Sequence, residues 1–196
     1  MTHTKSSSKL FKLVILALLG TVSLMLFFVH FPLPFLPPYL KIDFSDVPAI
    51  LAAFIFSPVA GIVVVAIKNI LYFIVIGSGD PIGVAANFLA GVMFAVPVAI
   101  IYHKHKKGVK SVISGLIAGT IVMAVGMTVL NYLVVLPLYS MFMGWDHMDS
   151  EAKALLAFKG VLPFNILKGI MVGLVFVPLY LKMRKWIDQK RTIFAS

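Results

Sequence analysis

Apolar residues in this chain come in runs long enough to cross a membrane, and that property removes most folds from consideration. A spanning helix needs about 20 apolar residues, and Leu10–Val29 supplies such a run with a single charge, at Lys12. Phe44–Gly77 extends over 34 residues with only Asp46 and Lys68 charged, too long for one crossing. Charged residues make up 12% of the sequence, about half the share of a soluble domain, which excludes a water-soluble globule. The chain has 196 residues. At about 30 residues for each span with its connection, that length accommodates roughly six helices and no separate extramembrane domain. The absence of cysteine excludes disulfide frameworks, thiol nucleophiles and most structural zinc sites.

The predicted fold is all-α, a single integral membrane domain over 1–196 with six transmembrane helices at 9–29, 45–57, 58–76, 82–102, 111–139 and 156–181. Residues 1–8 and the tail 182–196 lie outside the membrane. The first run is too long for a cleaved leader and lacks a small-x-small site, so it reads as a retained helix. Pro32, Pro34, Pro37 and Pro38 then forbid regular helix, because proline lacks the amide donor, and predict a structured loop between helices 1 and 2. Ser57-Pro58 or Gly61 breaks the long apolar run, Gly77–Pro81 ends the third span, and His103–Lys107 ends the fourth.

Charge orients the bundle. Of the 17 Lys and Arg residues, 12 fall in the first twelve residues, the 103–110 turn and the tail. Cytoplasmic connections carry such an excess, so both termini are expected in the cytoplasm of a multi-pass plasma-membrane protein. The net charge of +10 therefore reads as membrane orientation, not as a nucleic-acid surface. Six of the seven acidic residues lie in or beside the opposite loops, and none is expected deep in a span.

The four asparagines, Asn69, Asn87, Asn131 and Asn165, all fall inside predicted spans. A buried carboxamide costs free energy unless paired. Counted at about 1.5 Å per residue, all four are expected roughly 8 to 12 Å below the outer surface. Either they join helices to one another, or they line a pocket open to the outside. An amide offers a donor beside an acceptor, which suits a planar heterocycle with alternating N–H and C=O groups. Lys168 follows Asn165 by three positions and shares its helix face. Lys68 and Lys168 either pair with Asp43 or Asp46 reaching inward or donate to a ligand. The apolar, ring-rich loop from His30 to Asp46 either lids an aromatic ligand or forms an interfacial belt.

Small residues recur four apart at Ala17/Thr21, Ala86/Ala90, Gly115/Gly119 and Gly169/Gly173. Such pairs let helices approach closely, most of them within the bundle. His103 and His105 sit in a solvated lysine-rich turn, so no metal site is expected. No phosphate-binding G-x-x-x-x-G-K-[ST], G-x-S-x-G or H-E-x-x-H pattern occurs, and the chain is not expected to be an enzyme or to draw on ATP by itself.

With these features in place, the sequence resembles the riboflavin-specific substrate-binding (S) components of energy-coupling factor (ECF) vitamin transporters of bacteria. The resemblance covers nearly the whole chain. It rests on six short spans, on Lys41-Ile-Asp-Phe-Ser-Asp46-Val-Pro48 entering the second span, and on Asn131 and Asn165-x-x-Lys168. It implies capture of riboflavin, as transported ligand and not cofactor, while a membrane coupling subunit and two ATPase subunits supply energy. It further implies that Asn131, Asn165 and Lys168 bond the polar edge of the isoalloxazine ring, that Asn87 reaches the ribityl hydroxyls, and that Tyr39, Leu40 and Lys41 cover the site. S components commonly contact the coupling subunit through alanine-x-x-x-alanine on the first helix. The nearest match here is Ala17-Leu-Leu-Gly-Thr21, with Thr in place of the second Ala and Gly20 expected to widen the same face. Competing readings are an S component for another small vitamin and a stand-alone transporter driven by an ion gradient.

Overall fold

Each apolar run folds as helix, and alternating crossings set the direction of each. The computed structural model describes residues 2–195 except 38, 39, 77, 78, 106 and 107. Among them, α1 covers Thr2–Phe28, α2 Asp46–Ile55, α3 Pro58–Ile76 and α4 Pro81–Lys104. α5 runs over Val109–Phe142 and α6 over 150–195, each containing one π-helical turn, Asn131–Val135 and Ala157–Val161 respectively. A short antiparallel ladder of β1 (Phe31–Pro32) and β2 (Lys41–Ile42) ties together the ends of the α1–α2 loop.

Proline sets several boundaries. Pro58 and Pro81 open α3 and α4, where a missing N–H leaves no intrahelical bond unmade. Asp80 caps α4 by accepting from the Gly83 N–H at 2.8 Å. Both π turns end two residues before a proline, Pro137 in α5 and Pro163 in α6. A proline ring collides with the carbonyl four residues back. Here that carbonyl belongs to a widened turn, so both helices continue past their prolines. The two π turns also pack against each other.

Five helices are long and apolar enough to cross a membrane, and α2 is not. Its ten residues rise only about 15 Å. The second helix is therefore a half-crossing, shorter than the 45–57 span expected from the sequence. All ten of its residues are buried, because it touches α1, α3, α4 and α6 and so occupies the centre of the bundle.

The half it fills is fixed by ring contacts. Lys190 of α6 lies 5.5 Å from the Phe11 ring of α1, and Lys12 lies 5.4 Å from the ring of Phe56, just after α2. The start of α1, the far part of α6 and the α2–α3 turn thus share one end, the terminal end. There Phe54 of α2 stacks on Tyr102 at 3.7 Å, with Phe176 and Tyr180 edge-on at 5.2 and 5.9 Å. His103 Nε2 donates to the Ala53 carbonyl at 2.8 Å. At the opposite, loop end, residues 40–45 lead into the start of α2, and the buried Asp43, Ser45 and Asp46 put polar side chains in the middle of the bundle there.

Glycines bring α4 and α5 into backbone contact. A Cβ on Gly115 would lie 2.9 Å from the Val98 carbonyl oxygen, and one on Gly119 would lie 2.7 Å from that of Phe94. This is the in-bundle use expected of the small pairs.

Candidate functional site

Helix register sets the level of each asparagine. α3 and α4 are antiparallel and Val65 meets Gly91. Asn69 and Asn87, each four residues toward the loop end, therefore stand level. Gly119 of α5 meets the Phe94 backbone of α4, which places Asn131 level with residue 82 and about 7 Å outward of Asn87. Asn131 thereby departs from the expected common depth. Thr120 meets Gly169, placing Asn165 level with residue 124 of α5 and about 10 Å deeper than Asn131. Rise counted from span ends missed this because α5 and α6 extend unequally beyond the bundle.

Three of the amides turn first to their own helices. Asn69 Nδ2 donates to the Val65 carbonyl at 2.8 Å, Asn131 Nδ2 to Met127 at 2.8 Å, and Asn165 Nδ2 to Val161 at 2.9 Å. Val161 ends the π turn of α6, and Asn131 opens that of α5. The amides do not bond one another among the described residues, and the side-chain oxygens of Asn69 and Asn87 are buried without a donor.

What converges is an ionic cluster at the start of α2. Asp43, Asp46, Lys68 and Lys168 are each at most 3% exposed. Lys168 Nζ donates to Asp43 Oδ2 at 3.0 Å and lies 3.2 Å from Asp46 Oδ2. Lys68 Nζ donates to Ser45 Oγ at 3.0 Å, lies 3.8 Å from Asp46 Oδ1 and sits 5.1 Å from the Phe27 ring. The Ser45 hydroxyl and N–H both donate to Asp43 Oδ1, and Ser23 Oγ of α1 donates to the Ser45 carbonyl at 2.5 Å. Two cations thus balance two carboxylates, as buried charge requires. Burial pushes the Asp43 carboxyl up, but the neighbouring Lys168 and Lys68 ammonium groups and Ser45 outweigh it and hold the group below its usual range.

The cluster revises the expectation that no carboxylate lies deep in the bundle. Asp46 heads a half-length helix and so starts near mid-bundle, against Gly91, where a Cβ would lie 3.2 Å from Asp46 Oδ1. Two aspartates flanking a serine, matched by two lysines inside spans, were the available signal. Ser23, Ser45 and Gly91 carried none.

The α1–α2 loop covers the α6 side of this region. Pro37 touches the π turn of α6, 3.8 Å from where a Cβ on Gly160 would lie. Leu40 is half-buried and its N–H donates to the Pro37 carbonyl at 2.9 Å. Lys41 does not join the cluster. It pairs with Pro32 on the exposed ladder and its Nζ lies 3.2 Å from His30 Nε2. Tyr39 lies outside the described residues.

The expected partner face divides. Ala17 and Thr21 are exposed together on α1, Thr21 Oγ1 donating to the Ala17 carbonyl at 3.0 Å. Gly20 is not on that face. It is buried against Ile67 of α3, where a Cβ would fall 2.4 Å from Ile67 Cγ2. Three residues from Ala17 and one from Thr21, it belongs to the inward stripe Leu16–Gly20–Ser23 and packs the bundle.

A cavity of about 660 Å³ opens elsewhere, between α5 and α6. Its wall includes Ile117, Ile121, Ile170 and Leu174 but none of the four asparagines and neither buried lysine. Those residues are 50 to 66% exposed, so this is a groove in the apolar outer surface. Thr120, whose hydroxyl donates to the Leu116 carbonyl, is the one polar side chain among its lining residues.

Comparison with known proteins adds the following. Residues 11–180 match the family model described as ECF transporter, substrate-specific component. The chain is 42% identical to the riboflavin transporter FmnP of Bacillus subtilis (strain 168) over 94% of its own length and 97% of that protein. It is 45% identical to the riboflavin transporter RibU of Staphylococcus aureus (strain TCH60), over 91% and 93%. A solved structure of the S component of a bacterial ECF transporter superposes with a TM-score of 0.78 at 42% identity, covering 91% of this chain and 98% of that one.

Proposed function

Since the chain belongs to the family of ECF transporter substrate-specific components, we propose that it captures riboflavin at the outer face of a bacterial cell membrane and delivers it inward within an ECF assembly. The loop end is the outer face in this reading, and the basic terminal end is cytoplasmic. A coupling membrane subunit and two ATPase subunits would complete the assembly. Chemistry on the ligand is not required.

The observation that carries the reading is the half-length of α2. A full helix would fill the bundle core from end to end. Stopping at Asp46 leaves the outer half to be walled by α3, α4, α5 and α6, each of which brings one asparagine. Lys168 and the cluster form the floor, and the Pro-rich loop lies above. An isoalloxazine ring buried there would displace water from apolar surface, while Asn165 and Lys168, one turn apart, meet its N–H and C=O edge. Asn165 and Asn131 differ in depth, so they would address different parts of one long ligand. Lys168 is held by two carboxylates, and a ligand carbonyl would share its remaining donor capacity. Ala17 and Thr21 would offer the coupling subunit a close-packing face on α1.

The ion-driven alternative needs a carboxylate free to exchange a proton or cation. Asp43 and Asp46 are both in contact with buried lysines, which favours a fixed structural floor.

Titration of the purified chain with riboflavin, followed by quenching of flavin fluorescence, tests the reading. Saturable quenching at one site per chain is expected. Absence of quenching, with another vitamin binding tightly, would overturn the riboflavin assignment and keep the family.

A further inference from the structure

The apolar groove between α5 and α6 has no part in vitamin capture, yet its length, its floor and the charges at its mouth fit one kind of occupant. From Ile113 to Val125 its α5 wall measures about 18 Å, close to the roughly 15 Å of one leaflet of a bilayer core. Two glycines lie along its floor, and they differ. A Cβ on Gly169 would collide with Thr120, so that glycine serves helix packing. A Cβ on Gly173 would meet no atom nearer than Leu116 Cδ1 at 3.7 Å. The helices do not need Gly173 bare, and a side chain there would fill the groove.

Charge marks one end. Helical periodicity carries the α5 wall from Ile117 through Ile113 to Lys110, and the α6 wall from Leu174 through Leu181 to Arg184 and Lys185. All three basic residues are exposed, and none enters an ion pair among the described residues. Because Gly169 meets Thr120 and Gly173 faces Leu116 on antiparallel helices, Lys110 stands level with residue 179. Arg184 is then about 8 Å further along the axis, a gap that two long, snorkelling side chains close around one phosphate. Asp188, the acidic residue of the tail, lies a further turn out, and the loop end of the groove has one cation, Lys159. We propose that this groove binds a single anionic phospholipid of the leaflet at the terminal end. One acyl chain lies over Gly173, and Lys110, Arg184 and Lys185 hold the phosphate. The proposal does not depend on which vitamin the chain captures.

Native mass spectrometry of the full chain in detergent tests it, with dioleoyl phosphatidylglycerol, dioleoyl phosphatidylcholine or glycerophosphate added, each protein first checked for monodispersity. The wild type is expected to retain one phosphatidylglycerol per chain, at least about tenfold more tightly than phosphatidylcholine, and to retain no glycerophosphate. Lys110→Glu with Arg184→Glu should remove that preference and change phosphatidylcholine by less than about twofold. Gly173→Phe, which fills the groove, should weaken both lipids, and Lys159→Glu should alter neither. Equal wild-type affinity for the two lipids overturns the proposal, as does unchanged lipid retention by Gly173→Phe. Retention of glycerophosphate as tight as that of the lipid would make this a site for free phosphate, and loss of the preference in Lys159→Glu alone would put the head group at the wrong end. Either result overturns the proposal. Should one variant fail to fold, the wild-type comparison and the remaining variants still decide.

Discussion

The two halves of this bundle are built from the same helices by opposite means. At the terminal end α2 occupies the centre, and Phe54, Tyr102, Phe176 and Tyr180 close around it as a stacked and edge-on ring cluster. At the loop end the centre holds the ionic cluster at the start of α2, and α3, α4, α5 and α6 each carry one asparagine in that half. The first arrangement maximises dispersion and apolar burial. The second accepts polar groups whose hydrogen bonds are incomplete within the chain. A membrane protein has no general reason to keep such groups in its interior. Tyr180 Oη in the ring cluster is also buried without a hydrogen-bond partner, but the buried amides and ion pairs gather in the outer half, which supports the proposed division between a part that holds the fold and a part that holds a ligand.

That separation can be broken at its border. Lys168→Met leaves Asp43 and Asp46 short of a cation, and loss of a buried partner costs about 3–5 kcal/mol. The melting temperature in detergent should fall and riboflavin affinity should drop by at least about tenfold. Adding Asp43→Asn should restore much of the melting temperature without restoring affinity. Recovery of both would make Lys168 purely structural.

Phe54→Ala probes the other half. Removing a fully buried aromatic costs about 3–5 kcal/mol, so a lower melting temperature is expected, while riboflavin affinity of the folded protein changes by less than about threefold. A larger affinity loss would erase the distinction between the halves.

A smaller effect is expected at the loop contact. Gly160→Leu places a side chain where Pro37 now rests, and stopped-flow exchange should show riboflavin leaving several-fold faster, with little change in stability. Smallest of all for the isolated chain are Ala17→Leu and Thr21→Leu together. Both positions are exposed, so binding and melting should be unchanged. Co-purification with the coupling subunit should be lost.

The sequence made much of this legible, for identifiable reasons. Apolar run lengths gave the helices, Ser57-Pro58 separated α2 from α3, and the small pair Gly115/Gly119 marked a close contact within the bundle, though not that α4 is the helix it meets. These are local signals, and local rules read them. The depth of Asp46 was hidden, because knowing it requires knowing that α2 starts near mid-bundle. Gly20 was assigned to the wrong face because spacing along α1 does not say which neighbour lies beside it. The offset of Asn131 arises from the register between α4 and α5, set by Gly119 against the Phe94 backbone. Prolines 137 and 163 were visible, but the π turns that accommodate them were not, since a proline in a helical run equally predicts a kink or a break.

The most direct test of the ligand-holding half is an experimental structure of the chain with riboflavin bound. The flavin is expected between α3, α4, α5 and α6 above the start of α2, within hydrogen-bonding distance of Lys168. Flavin density in the apolar groove between α5 and α6, with the space above Asp46 closed by side chains, would contradict the account.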